Sequence, residues 1–121
     1  MRPEEEIELN TVDLVWRNLA IDSVKFTPQG STGYPDRLFW IPGGKPLLIE
    51  FKAPGKKPES KQQYMIDQLK ALGYNVEVHD DAVEAFGAVL TAVAATPLSE
   101  EGRAIFARAC LVRTLLGPRS R

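Results

Sequence analysis

Apolar residues between Glu4 and about Ala20 recur as Leu9, Val12, Trp16 and Leu19, the spacing of one helix face. Glu4, Glu5 and Glu6 crowd the first turn of that helix, where the macrodipole favours negative charge. Beyond it the period shortens. Residues 23–28, SVKFTP, read as a short strand, and 29–35, QGSTGYP, as a turn-rich loop. RLFWI (37–41) and LLIEFKA (47–53) are strand-like in their branched and aromatic content, and PGG between them signals a hairpin turn. After the loop APGKKPES, Met65, Ile66, Leu69 and Leu72 form a helical stripe starting at about Ser60, and Gly73 is its natural stop. YNVEVH (74–79) alternates as a half-buried strand does, and residues 82–95, rich in alanine and valine, predict a helix. Ser99 with Glu100 and Glu101 opens a last helix to about Leu116, and residues 117–121 are expected to fray. The order α-β-β-β-α-β with added C-terminal helices predicts an α/β fold. Its mixed central sheet is closed by a right-handed crossover and flanked by helices.

Composition narrows the class without naming a function. The 121 residues suit a single domain, 1–121, with one core. Cys110 is the one cysteine, which excludes an intrachain disulfide and points to a reducing, cytoplasmic setting. No early apolar segment resembles a signal peptide, and no apolar run is long enough to span a bilayer. A formal net charge of −1 argues against a strongly basic nucleic-acid binder. The charge is segregated, however. Acids dominate the first helix, while Arg37, Lys45, Lys52, Lys56, Lys57 and Lys61 face only Glu50 and Glu59 between positions 37 and 61. Such a segment can form a phosphate-binding face or simply a solvated one. GGKP lacks the spacing and the Ser/Thr of a P-loop, no glycine fingerprint suggests a nucleotide cofactor, and no Cys/His cluster has zinc spacing.

The chemistry lies where charges interrupt the strand pattern. Asp36 follows a proline, and Glu50 and Lys52 break into LLIEFKA, although charges are rarely buried unless paired or metal-bound. With Pro42, Gly43 and Gly44 as the turn, Ile41 faces Lys45 and Asp36 lies opposite Glu50. Alternation then puts Asp36, Glu50 and Lys52 on one face. Opposed carboxylates raise each other's pKa unless a cation sits between them, and a hard divalent ion is the simplest such cation. A lysine one pleat further can hold a phosphate or help deprotonate an attacking water. The trio therefore suits metal-assisted phosphodiester hydrolysis. The same spacing also fits a structural salt bridge on the outer face of an edge strand.

The longer run GYPDRLFWIPGGKPLLIEFKAPGKKPESKQQ, followed by LKALGYNVEVHDDAVEAF, resembles the virus-type replication-repair nuclease (VRR-NUC) domain of the PD-(D/E)xK nuclease superfamily. The resemblance covers roughly residues 4–86 and is closest to small stand-alone phage and bacterial members, some of which cleave four-way DNA junctions. It implies a restriction-endonuclease-like core, with residues 87–116 as additional helices. It also implies a Mg²⁺- or Mn²⁺-dependent endonuclease acting on branched DNA, as a Holliday junction resolvase does. Asp36, Glu50 and the carbonyl of Phe51 would be metal ligands, Lys52 the catalytic lysine, and Gln62 the glutamine that follows the basic loop, with neighbouring Gln63 as the alternative. The first helix would supply a further glutamate, Glu8, with Glu5 as the alternative. Gly33 matches a glycine that lets the chain turn close to the site. Rival readings are a restriction or nicking nuclease without structure preference and a catalytically silent DNA-binding subunit.

Around this centre Lys56, Lys57, Lys61 and Arg37 are expected on the DNA side. His79 reads as a strand-end surface residue, Cys110 as helix packing, and Phe39 with Trp40 as core and dimer-facing surface. A symmetric homodimer is expected, because resolving a junction takes two cuts and residues 82–95 with Leu111, Leu115 and Leu116 exceed what a small sheet can bury. Arg103, Arg108 and Arg113 are spread around the last helix, which can pack on the sheet, join an interface or meet DNA.

Overall fold

The computed structural model describes residues 1–26 and 33–116. Most of the 29–35 loop and the 117–121 tail lie outside them. Helix α1 (Pro3–Leu19) leads into β1 (Ser23–Lys25), β2 (Arg37–Phe39) and β3 (Leu47–Phe51). Helix α2 (Ser60–Ala71) follows, then β4 (Asn75–His79), α3 (Ala82–Ala95) and α4 (Glu100–Leu116). The sheet order is β1-β2-β3-β4; the first three strands run antiparallel, and β4 pairs parallel to β3 after α2 crosses over. The α/β expectation is met.

The hairpin register is the one the turn implies: Arg37 faces Ile49, Leu38 faces Leu48 and Phe39 faces Leu47. β2 ends earlier than RLFWI suggests. Trp40 N–H still bonds the carbonyl of Asp22 in the β1 register (3.1 Å), and Ile41 N–H turns back to that of Phe39 (2.9 Å), so the chain leaves the ladder at Ile41, before the PGG turn. Gly43, at φ +113°, sits there because a Cβ would come within 1.9 Å of the Thr96 methyl.

All five residues of β3 are buried, since it has a strand on each side and helices on both faces. Leu47, Ile49 and Phe51 point to one face, where Val15 of α1 and Ala85 and Val89 of α3 complete the main core. Leu48 points to the other, against Ile66 of α2 and Val76 of β4. Helix α1 buries Glu8, Thr11 and Val15, a stripe one residue removed from the Leu9–Val12–Trp16–Leu19 face expected from hydrophobicity. Thr11 tolerates burial by bonding its hydroxyl to the Ile7 carbonyl (2.8 Å), and Glu8 does so through ion pairs described below. Helix α4 buries no residue. It touches α1, where the Cys110 thiol donates to the Leu19 carbonyl, and it leaves Ile105, Leu111, Val112, Leu115 and Leu116 exposed. No helix among the described residues is long and apolar enough to cross a membrane.

Candidate active site

One end of the sheet opens into a cavity of about 550 Å³ whose walls include Glu8, Lys25, Asp36, Arg37, Glu50, Phe51, Lys52 and Gln62. Register explains this gathering. Lys25 pairs with Arg37, Arg37 with Ile49, and so the end of β1, the start of β2 and the end of β3 lie side by side. Asp36, just before β2, extends the ladder with its side chain: Oδ2 accepts the Phe51 amide at 2.7 Å. In an extended strand a residue's N–H and C=O point to the same side, so the Phe51 carbonyl also faces Asp36 rather than β4. On the β4 side the ladder continues with Lys52 N–H bonding the His79 carbonyl at 3.0 Å.

Glu50 is 2% exposed. Its Oε2 takes the Lys52 ammonium at 3.1 Å and the Gln62 amide at 2.9 Å. Its Oε1 is buried and has no hydrogen-bond partner among the described residues. Burial, and after it the Asp36 charge, pushes the Glu50 carboxyl up to about 7, against the opposing pull of Lys52. Burial also raises Asp36, against the Phe51 amide that holds it down. Gln62 organises the trio. Its carbonyl accepts from Lys52 and from the Glu59 amide (3.0 Å), while its NH₂ donates to Glu50. The Glu59 side chain in turn caps the first turn of α2, so one capping box fixes helix and site together.

Glu8 occupies the other wall. It is 4% exposed and both of its oxygens are taken: Lys25 reaches Oε1 at 3.0 Å and Oε2 at 2.8 Å, and Arg37 Nε reaches Oε2 at 2.7 Å. Arg37, expected on the DNA side, is turned inward, with Ser23 Oγ as its second partner at 3.1 Å. Glu5 lines the cavity mouth and bonds Arg2. Lys56, Lys57 and Lys61 are exposed beside the site, on the loop before α2 and on its first turn. That loop is pinned by Gly55 N–H to Asp80 Oδ2 at 2.8 Å. Gly33, at φ +95°, lies against the same turn, where a Cβ would meet the Lys61 carbonyl at 2.9 Å. His79 pairs with Glu77 (2.9 Å), and Gln63 with Asp67 (2.9 Å), outside the trio. Lys25 was not singled out from the sequence. Its signal was positional: two residues across the ladder from each other, Lys25 and Arg37, share the sheet face that α1 covers.

The residues fit a divalent cation on one side of this cavity. An orphaned carboxylate oxygen, a second carboxylate opposite and a carbonyl pointing the same way make the hard oxygen set that Mg²⁺ or Mn²⁺ takes. Glu8, on the opposite wall, has its oxygens engaged by Lys25 and Arg37, and among the described residues no group of three or more His, Cys, Asp or Glu side chains is placed to hold a metal.

Comparison with known proteins agrees with this architecture. A profile of the VRR-NUC domain matches residues 9–81. A protein of Acyrthosiphon pisum secondary endosymbiont phage 1, described as "Putative nuclease p44", is 42% identical over 77 residues, covering 64% of this chain and 82% of the phage protein. A solved VRR_NUC domain superposes with a TM-score of 0.62 at 22% identity, over 78% of this chain and 98% of that one. With more than half of its length matched, and Asp36, Glu50, Lys52 and Gln62 all inside the match, the chain belongs to the VRR-NUC domain family.

Proposed function

We propose that this chain is a divalent-metal-dependent DNA endonuclease that hydrolyses phosphodiester bonds in branched DNA, four-way junctions above all, and works as a homodimer. The observation that carries the reading is Glu50 Oε1, a buried carboxylate oxygen without a partner beside a second raised carboxylate. Such an arrangement is costly without a cation and natural with one. Family membership and a phage relative described as a nuclease support the reaction class.

Asp36, Glu50 and the Phe51 carbonyl would hold Mg²⁺ or Mn²⁺, which supplies Lewis-acid activation of a phosphate oxygen and of water. Lys52, held between Glu50 and Gln62, orients the attacking water and takes its place beside the negative charge that grows on the phosphoryl oxygens. Gln62 keeps that ammonium in place and, by donating to Glu50 Oε2, leaves Oε1 as the open donor. Lys56, Lys57 and Lys61 supply phosphate contacts on the α2 side. Two cuts on symmetry-related strands call for two equal sites, and the exposed apolar residues of α4 support a second copy as their cover.

The deciding measurement is cleavage of a labelled four-way junction beside linear duplex, single strand and flap, with Mg²⁺, Mn²⁺ or chelator. Metal-dependent paired cuts in the junction are expected. Equal cutting of all substrates would favour the nuclease without structure preference, and no cutting with any metal would leave only a DNA-binding role.

A further inference from the structure

Lys25 stands at the edge of the cavity with a charge that nothing in the nuclease chemistry above uses. We infer that Lys25 is a DNA phosphate-binding residue on the α1 side of the cavity, with Glu8 as its positioning residue. The inference rests on the nuclease reading and adds a second grip on the substrate, across the carboxylate pair from the α2 lysines.

Charge balance makes the first argument. Glu8 carries one negative charge and is held by two cations, so the cluster of Glu8, Lys25 and Arg37 presents one net positive charge. Exposure assigns that charge to Lys25. Its side chain is 47% exposed, against 14% for Arg37 and 5% for Glu8, and it lines the cavity. Donor counting makes the second argument. The ammonium has three N–H groups, and Glu8 takes two of them. Among the described residues the third has no acceptor, and the cavity can bring one. Lys25 and Asp36 line the same cavity, so an anion held by Lys25 shares that cavity with the carboxylate pair. A phosphodiester backbone has the right form, since it carries a negative charge at every nucleotide and both Lys25 and Lys52 line the cavity it would cross.

A salt bridge that merely ties α1 to the sheet would show the same distances, so the test must separate grip from stability. Binding of a labelled four-way junction and a labelled duplex is measured across salt concentrations, with Ca²⁺ in place of Mg²⁺ to keep the DNA intact. Lys25→Met is expected to bind about tenfold more weakly near physiological salt and to lower the slope of log affinity against log salt by about 0.9, the loss of one phosphate contact. Lys25→Arg should recover both. A Lys25→Met protein with the wild-type slope, whatever its thermal midpoint, overturns the inference and leaves a structural ion pair. Failure of Lys25→Arg to recover the slope also overturns it. If wild-type protein binds neither DNA, the nuclease reading falls first and takes this inference with it.

Discussion

The two walls of the cavity each bury a glutamate, and they do opposite things with it. On the α1 wall Glu8 has both oxygens saturated by Lys25 and Arg37. On the β3 wall Glu50 is as deeply buried but shares one oxygen between Lys52 and Gln62, and the other, beside Asp36, has no hydrogen-bond partner among the described residues. Burial is equal, so burial is not what separates the two walls. What separates them is an acceptor without a partner among the described residues, next to a like charge. The first arrangement is satisfied by its own ion pairs, and the second has an acceptor to spare for the cation proposed above.

The sharpest way to break this contrast is to remove the unfinished side. Asp36→Ala and Glu50→Ala are each expected to lower cleavage by at least about a thousandfold, roughly 4 kcal/mol of transition-state stabilisation, in a protein that stays folded. Near-wild-type cutting by either variant at saturating Mg²⁺ would show that the metal sits elsewhere. Glu8→Gln should behave differently. It strands two cations, one of them nearly buried, and should cost about 2 kcal/mol in a urea titration while sparing much of the turnover. If it abolished cleavage and left stability unchanged, Glu8 would join the metal carboxylates and the two walls would be alike.

The smallest effect is in the pH dependence of the metal-free protein. Glu50, raised from 4.5 to about 7, binds its proton more tightly folded than unfolded. Its contribution is thus fully present below about pH 4.5 and is lost as pH rises through 7. With chelator present, the thermal midpoint should fall between pH 5 and pH 8 by the equivalent of about 1–3 kcal/mol. Glu50→Gln should flatten that part of the curve, and Mg²⁺ should oppose the fall at the alkaline end. A flat wild-type profile would mean that the carboxylate pair is relaxed without metal.

How far the sequence could be read follows the same division. Turn chemistry and period-two alternation are local, so the PGG turn was enough to place Asp36 at the register of Glu50, and residues 82–95 formed a helix over their expected span. The face of α1 was misjudged because hydrophobicity favoured Leu9 and Trp16 over Glu8 and Thr11, and burial of those two depends on partners far along the chain. Arg37 was expected to meet DNA for the same reason: its charge is visible in sequence, its partner is not. The position of α4 was left open, since its apolar residues and arginines are spread around the helix, and in the structure it buries none of them.

The capping box of α2 has a kinetic consequence. Gln62 closes the first helical turn and seats Lys52 and Glu50 with the same amide group, so when that turn frays the Lys52 ammonium loses its seat at the same instant. Opening of the Glu59 and Gln62 amides to hydrogen exchange and loss of a competent site are then one event. The fraction of time spent in it sets a ceiling on how many encounters with substrate can be productive.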